Sequence, residues 1–186
     1  KAVIWFRNYL IWGNTVEGGT TYPTRFRWSD VGTINTYQNL NRTDISSLDG
    51  DEIVAYKELY GDLYIFMRKS IWKASLVGGN DVFVFSKIID GIGAIAKGSV
   101  RVVSFPDNRL AIGFLDEKKR IFIFDGSQIS DIGRKIQPTL DTLKASRLEF
   151  SVAEFDGFDY YLSTTSTSAA GNDTLLDYQV EIGEWS

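Results

Sequence analysis

The chain is 186 residues long, which is ordinary for one domain and sufficient for a hydrophobic core. It contains no histidine and no cysteine, so disulfides, thiolate or imidazole zinc sites, Ser-His-Asp triads and Cys-His dyads are excluded within this chain. The 20 lysines and arginines against 24 aspartates and glutamates give a net charge of −4, the wrong sign for a dedicated nucleic-acid-binding protein. No apolar run approaches the roughly 20 residues of a membrane-spanning helix, and we predict neither sequence-specific nucleic-acid binding nor a membrane partner.

Strand patterns follow one another along almost the whole chain. Residues 3–12 are predicted to form two strands around a turn at Arg7-Asn8. In residues 25–30, Arg25, Arg27 and Ser29 alternate with Phe26, Trp28 and Asp30, and this period of two predicts a half-buried strand. The remaining strands are predicted at residues 52–59, 62–67, 71–77, 82–89, 99–105, 110–115, 120–124, 148–155, 158–163 and 175–182.

Helical patterns are nearly absent. Only residues 132–143 space apolar side chains as a helix does, and Pro138 restricts this pattern to one short helix near 138–143.

The run Lys118-Lys119-Arg120 lies between two apolar strands and is predicted to be a solvated hairpin tip. The Ser/Thr-rich residues 163–174 are predicted to form a long, mobile hairpin loop.

The strands fall into repeated groups. Trp28, Trp72, Ile123 and Asp177 occupy similar places in successive groups and are 44, 51 and 54 residues apart. Repeats of about 40–50 residues that hold three or four strands are typical of β-propeller blades. We therefore predict an all-β fold, a single domain over 1–186 that is a β-propeller or an arc of about four antiparallel blades, and the alternative is a β-sandwich. Trp28 and Trp72 are predicted to be buried core residues.

Paired carboxylates are the first motif with catalytic potential, because glycosidases occur on propellers and need only two of them. Asp156 with Asp159, and Asp177 with Glu181 or Glu184, are the candidate pairs. Asp156 precedes Gly157 in a turn dipeptide, whose carboxylate normally binds its own backbone. We therefore predict no catalytic residue and no enzymatic activity.

Two further motifs suggest cofactors only formally. Residues 91–96 match G-x-G-x-x-G/A after a strand, but Gly98 follows within a turn and the chain re-enters a strand at Ser99, so a dinucleotide-binding helix does not fit. The oxygen-rich turns at residues 49–52 and 125–131 lack the spacing of an EF-hand calcium loop. We predict no bound cofactor and no metal.

Several short motifs occur in an order that carries a resemblance. TRFRWSDVG begins at Thr24, GDEIVA at Gly50, DLYIFMRKSIW at Asp62 and IFIFDG at Ile121. This order resembles the propeller-containing structural proteins of tailed bacteriophages, a group that includes tail nozzle and tail-hub proteins. The closing residues 176–185 are similar to a later blade strand of that family, whereas the charged insertion at 116–119 and the loop at 163–174 have no counterpart there.

The resemblance implies a non-enzymatic structural component of a bacteriophage tail, in a ring, nozzle or hub through which DNA passes. It further implies partnership with other tail proteins, a homo-oligomeric ring, synthesis in the host bacterial cytoplasm and a final location in the virion. The residues that match the family's structural motif are Arg25, Arg27, Trp28, Ser29, Asp30, Ser70, Trp72, Asp125 and Gly126.

A second class of function stays open at this stage, a carbohydrate- or receptor-binding propeller module. Tyr160, Tyr161 and Trp185 are the aromatic side chains that could stack on sugars, although packing between blades is an alternative use for them. Because the chain begins and ends in strand patterns, we also expect an arc from a longer protein. Such an arc is expected to leave two apolar blade faces uncovered and to self-associate.

Overall fold

The computed structural model describes residues 1–45, 50–79 and 81–186. They form a mostly β protein with four antiparallel four-stranded sheets and one short α-helix. The chain divides into two compact units, Lys1–Ile92 and Gly93–Ser186, and each unit contains two sheets. The oxygen-rich turn predicted at 49–52 includes Asp49, and the connection between the strands predicted at 71–77 and 82–89 includes Asn80; both residues lie outside the described part.

The first unit contains sheets 1 and 2, each built from four consecutive strands in sequential order. The turns Arg7-Asn8 and Tyr60-Gly61 have positive φ at both residues, as two-residue hairpins of this twist require. Sheet 1 consists of β1 (Ala2–Phe6), β2 (Tyr9–Glu17), β3 (Thr20–Trp28) and β4 (Arg42–Asp44), and sheet 2 of β5 (Ile53–Leu59), β6 (Asp62–Met67), β7 (Ser70–Leu76) and β8 (Phe83–Asp90).

The core of the first unit lies between its two sheets. Ile11 and Phe26 of sheet 1 are fully buried together with Leu63 and Ile65 of sheet 2. The ring of Phe26 meets that of Tyr56 edge-on at 5.8 Å. Alternate residues of each strand therefore point into this core, and the intervening residues of sheet 1 form a second face, turned away from sheet 2.

The second unit repeats this arrangement with sheets 3 and 4, and α1 (Gln137–Asp141) adds the fully buried Leu140 to its core. Short 3₁₀ segments occupy Lys97–Ser99, Gly133–Ile136 and Ala145–Phe150. Sheet 3 consists of β9 (Arg101–Ser104), β10 (Leu110–Leu115), β11 (Ile121–Phe124) and β12 (Ile129–Asp131), and sheet 4 of β13 (Val152–Phe155), β14 (Asp159–Thr164), β15 (Thr174–Gln179) and β16 (Glu184–Trp185).

The predicted repeat corresponds to a structural one. Trp28, Trp72, Ile123 and Asp177 lie on β3, β7, β11 and β15, the third strand of each sheet. Each sheet consists of four strands that are consecutive in the chain, which is the topology of a propeller blade. In a Greek-key sandwich, by contrast, the chain crosses between the two sheets. The all-β class and the short helix near 138–143 are confirmed, and the propeller arrangement stays a prediction.

The fourth strands were largely missed. β4, β12 and β16 are only two or three residues long and mostly polar, so no alternating pattern identifies them. The burial predicted for Trp28 and Trp72 is wrong in degree, because both rings are only half-buried at the margin of the first core. Trp28 ends β3 and Trp72 lies near the start of β7, and each packs against the first core with only part of its surface.

The loop at 165–173 is more constrained than its composition predicts. Ser166 donates its backbone N–H and its hydroxyl to the two carboxylate oxygens of Asp173, at 2.8 and 2.7 Å. The Asn172 amide donates to the carbonyl oxygens of Phe150 and Ser163, and Lys144 donates to the carbonyl of Ala169. The hairpin loop is confirmed, and its two ends are held together by side chains.

Candidate functional site

Sheet 1 carries a network of arginines and carboxylates on the face turned away from its core. Arg25 pairs with both oxygens of Asp44 at 3.0 Å, and its Nη1 lies 3.1 Å from Glu17. Its guanidinium also covers the Tyr22 ring at 3.5 Å. The prediction of a half-buried strand is therefore wrong for β3, because the polar row is buried as well, with Arg25 8% and Arg27 6% exposed.

Glu17 is the common partner of three guanidiniums in this network. It lies 3.1 Å from Arg25, 3.4 Å from Arg27 and 3.6 Å from Arg42. Burial opposes its ionisation, but the hydrogen bond from Thr15 and the charges of the arginines outweigh this effect and lower the pKa of Glu17. Arg27 and Arg42 face each other in register, so this carboxylate offsets a like-charge repulsion.

Ser29 and Asp30 hold the end of β3. The buried Ser29 hydroxyl accepts a hydrogen bond from the backbone N–H of Leu10 at 2.9 Å, and the Ser29 N–H donates to the Leu10 carbonyl. The Asp30 carboxylate accepts from the Asn41 amide at 3.1 Å, and its backbone pairs with Thr36. Both residues therefore fix the connection that leads from β3 to β4.

In sheet 2 the matching motif residues are joined through Asp51, which is 2% exposed. Its carboxylate accepts from the Ser70 hydroxyl at 2.7 Å and from the backbone N–H of Lys69 at 2.9 Å. The indole N–H of Trp72 in turn donates to the Ser70 hydroxyl oxygen at 2.9 Å. The three side chains form a continuous chain of hydrogen bonds that connects the start of β5 with β7.

Hydrogen bonds at the same place in sheets 3 and 4 were missed from the sequence. Ser99, just before β9, accepts from the Leu115 N–H at the end of β10, and Ser151, just before β13, bonds the Thr164 hydroxyl at the end of β14. Like Asp51, both serines are almost completely buried. The available signal was a small polar residue one or two positions before the first strands of sheets 2, 3 and 4, but such residues are too common in turns to be noticed without the structure.

The motif Asp125-Gly126 forms a turn between β11 and β12. One Asp125 oxygen accepts from the Ser127 N–H, the Ser127 hydroxyl and the Gln128 N–H, at 2.8–2.9 Å, and Gly126 has φ 104°. Burial opposes ionisation of Asp125, but these backbone and hydroxyl donors lower its pKa. The carboxylate thus stabilises its own turn, as an Asx turn does.

The charged hairpin tip between β10 and β11 is only partly solvated. Asp116 is 2% exposed, and its carboxylate accepts from the Arg120 guanidinium at 2.8 Å and from the backbone N–H of Arg120 at 2.7 Å. Lys119 donates to the Asp141 carbonyl at 2.9 Å. The prediction of a solvated tip is confirmed for Lys118, which is exposed, and is wrong for Lys119 and Arg120, which are half-buried and paired.

Carboxylates gather around Tyr161 on sheet 4. The Tyr161 hydroxyl lies 3.3 Å from Asp156 and 3.5 Å from Asp159, and Tyr161 pairs in register with Asp177. Burial, followed by the charges of Asp177 and Asp156, raises the pKa of Asp159. Asp156 accepts from the N–H groups of Phe158 and Asp159, which is the turn role predicted from its sequence.

The acidic candidates Glu184 and Glu181 have other neighbours as well. Glu184 forms an ion pair with Lys135, and Glu181 contributes to a pocket of 290 Å³ lined also by Phe105, Phe158 and Val180. Glu181 is the only ionisable residue in that lining, which is not the paired-carboxylate arrangement of a glycosidase. Asp177 lies close enough to Asp159 for its charge to raise the pKa of that carboxyl, and its own carboxylate accepts from the Ser186 hydroxyl at 3.1 Å.

The aromatic candidates have different environments. Tyr160 is 1% exposed and donates to the Ser99 carbonyl at 2.8 Å, so it cannot stack on a sugar. Trp185 donates to the Ile132 carbonyl at 2.6 Å and packs against the second core, whereas Tyr161 keeps part of its ring accessible. Of the three, Tyr161 is the one suited to ligand contact.

The described residues contain no group of three or more carboxylates arranged to hold a metal ion. In that same part of the chain, no helix has both the length and the apolar composition needed to cross a bilayer.

After Gly91-Ile92-Gly93 the chain enters the 3₁₀ segment Lys97–Ser99 and then β9, so the helix that a dinucleotide site requires is replaced by a turn. Comparison with protein-family models and with curated proteins finds no match for this chain.

Proposed function

We propose that this chain is a non-enzymatic structural component of a bacteriophage tail, part of a ring, nozzle or hub assembly through which DNA passes. Its four sheets are blades of a β-propeller or of an arc of one. The observation that carries the proposal is the match between motif order and sheet order. The Arg25–Asp30, Ser70–Trp72 and Asp125–Gly126 motifs, on which the resemblance to phage tail proteins rests, all lie on or directly after the third strand of successive sheets.

The contacts of the motif residues support a structural role. Arg25 and Ser29 use their polar atoms to join neighbouring strands, Ser70 connects β7 with Asp51 just before β5, and Asp125 closes its own turn. First strands also adjoin within each unit, β1 against β5 and β9 against β13, as first strands of neighbouring blades do around a propeller axis. An acidic chain is compatible with a channel wall, because such a wall should not retain the DNA phosphates.

The proposal predicts that the chain is made in the host bacterial cytoplasm and ends in the virion, bound to other tail proteins. Immunogold electron microscopy tests it directly, with antibodies against the purified chain applied to tailed particles produced from the genome that encodes it. Gold at one fixed position on the tail is expected, and the same antibody absorbed with purified chain is the control. Intact tails without label, with the antigen left in the supernatant after the particles sediment, would contradict the proposal.

A carbohydrate- or receptor-binding module is the second candidate, and the partly accessible Tyr161 beside Asp156 and Asp159 is the observation that favours it. An aromatic ring flanked by acceptors provides both stacking and hydrogen bonds to a sugar. A glycan array distinguishes the two candidates. Binding that is lost in Tyr161→Ala and kept in Tyr37→Ala, which alters an exposed tyrosine in the other unit, would favour the second candidate.

A further inference from the structure

The face of sheet 1 that is turned away from its core combines exposed apolar side chains with arginines. Val3 and Trp5 of β1 are 58% and 47% exposed. They pair across the strands with Trp12 and Leu10, respectively, and Trp12 in turn pairs with Arg27. Tyr37, 52% exposed, lies edge-on to Trp12 at 5.3 Å and against the Arg27 guanidinium at 5.0 Å. Tryptophan, tyrosine and arginine are the residues that dominate binding energy in protein interfaces.

The charge on this face, which we call the arginine face, is positive overall. Three guanidiniums, those of Arg25, Arg27 and Arg42, share the carboxylates of Glu17 and Asp44. Arg42 has the weakest pairing, at 3.6 Å from Glu17, and 37% of its side chain is exposed. Its guanidinium can therefore accept a further carboxylate without breaking a close ion pair.

The corresponding face of sheet 4, turned away from the second core, has the opposite charge. Glu154, Asp156, Asp159 and Asp177 surround Tyr161, and the Arg101 guanidinium lies 3.6 Å from Glu154. Val152 and Leu175, 48% and 65% exposed, lie on this face beyond Tyr161 because both pair with Ser163. We call this the acidic face. It too combines exposed apolar side chains with charge.

We propose that the arginine face of one copy binds the acidic face of a second copy, head to tail. We infer a second copy of this chain as the binding partner from charge complementarity. The arginine face has a net positive charge and exposed aromatic rings, and the acidic face has four carboxylates grouped around the Tyr161 ring. Repeated contacts of this heterologous kind close into a ring or continue as a filament, depending on the rotation between copies. The inference deepens the proposed function, on whose ring assembly it rests.

The acidic face is suited to such a contact because its carboxylates repel one another in the free chain. Asp156, Asp159 and Asp177 repel one another in the free chain, and guanidiniums that approach them relieve this repulsion. The relief lowers the free energy of the complex and therefore favours association. Arg25 and Asp44 are already paired within sheet 1, and the contact therefore centres on Arg42, Tyr37 and Trp5. Association should weaken as salt rises, because the charged rim is solvent-exposed.

Analytical ultracentrifugation of the full chain across a concentration series is the first test. Reversible self-association that weakens about tenfold or more between low and high salt is expected. A protein concentration of about 100 µM exceeds the Kd of a typical weak specific contact. If the chain stays monomeric at this concentration and low salt, the inference is overturned.

Charge reversal then identifies the surfaces. Arg42→Glu and Asp159→Lys should each weaken association about tenfold or more, and the double variant, in which the charges at positions 42 and 159 are exchanged, should recover part of the loss. Lys118→Glu and Glu117→Lys are matched controls, because they make the same charge changes at the exposed hairpin tip. Reversals that leave the association constant unchanged overturn the inference, as does a double variant weaker than both single ones.

Two further measurements keep the test decisive. Circular dichroism and the melting temperature establish that each variant folds, and Arg42→Gln and Asp159→Asn replace any reversal that does not. Immunogold labelling of virions is independent of self-association. A labelled tail with a monomeric chain overturns only this inference, and an associating chain absent from tails overturns only the proposed tail function.

Discussion

The third strands of sheets 1 and 3 bury their residues by different means. In β11, Ile121, Phe122, Ile123 and Phe124 are all buried and all apolar. In β3 the apolar Phe26 alternates with Arg25 and Arg27, which are nearly as inaccessible because carboxylates and tyrosine rings surround them. The comparison teaches that alternation of polar and apolar residues does not by itself mean that one face of a strand is in water.

The largest effect should come from the apolar strand. Ile121→Ala removes a fully buried side chain of the second core and leaves a cavity, so we expect a loss of about 2–5 kcal/mol in the free energy of unfolding. Ile182→Ala in the same unit removes the same atoms from a residue that is 63% exposed and should change stability by less than about 0.5 kcal/mol. Urea unfolding measures both, and equal losses would contradict the burial described for β11.

The charged strand should be less sensitive. Arg25→Ala removes hydrogen bonds to Asp44 and Glu17 but leaves those carboxylates partly in contact with water, and we expect a loss of about 1.5–3 kcal/mol. Arg25→Lys keeps the charge without the forked geometry and should lie between wild type and Arg25→Ala. Arg109→Ala alters an exposed pair with Asp107, and a loss there as large as at Arg25 would show that burial does not strengthen the pairing.

The pH dependence of stability offers a sharper test of the arginine network. Because the pKa of Glu17 is lower in the folded chain than its ordinary value of about 4.5, its ionised form stabilises the fold above that value. This contribution disappears as the pH falls through the folded pKa. Glu17→Gln should therefore lower the melting temperature at pH 7 and approach wild type at pH 3, whereas a constant difference at both pH values would contradict an ionic role.

The smallest expected effect separates two buried tyrosines, one in each unit. Tyr160 donates to the Ser99 carbonyl, so Tyr160→Phe should cost about 1 kcal/mol. The Tyr56 hydroxyl is buried without a partner among the described residues, so Tyr56→Phe should be neutral or stabilising. Urea unfolding compares the two variants directly, and a loss at Tyr56 equal to that at Tyr160 would indicate a partner for the Tyr56 hydroxyl.

The sequence predicted the elements that depend on local patterns. The hairpin at Arg7-Asn8, the strands from 53 to 67, the repeat of third strands and the short helix after Pro138 all follow from periodicity and turn chemistry. What it could not predict depends on residues distant in the chain. The burial of Arg27 requires Glu17, Asn39 and Tyr37, and the grouping of Asp177 with Asp159 requires the register of β14 and β15.

One glycine of sheet 3 determines which sheet can pack against sheet 4. A β-carbon at Gly113 on β10 would lie 2.8 Å from the ring of Tyr160, whose hydroxyl reaches the Ser99 carbonyl. The two residues belong to different sheets and fit only as a pair, a small residue on one and a large residue on the other. At this contact, therefore, sheets 3 and 4 are not interchangeable with other sheets. A chimera that replaced sheet 3 by another sheet of this chain would need a glycine facing Tyr160, so the contact between sheets 3 and 4 limits which sheet can take that place.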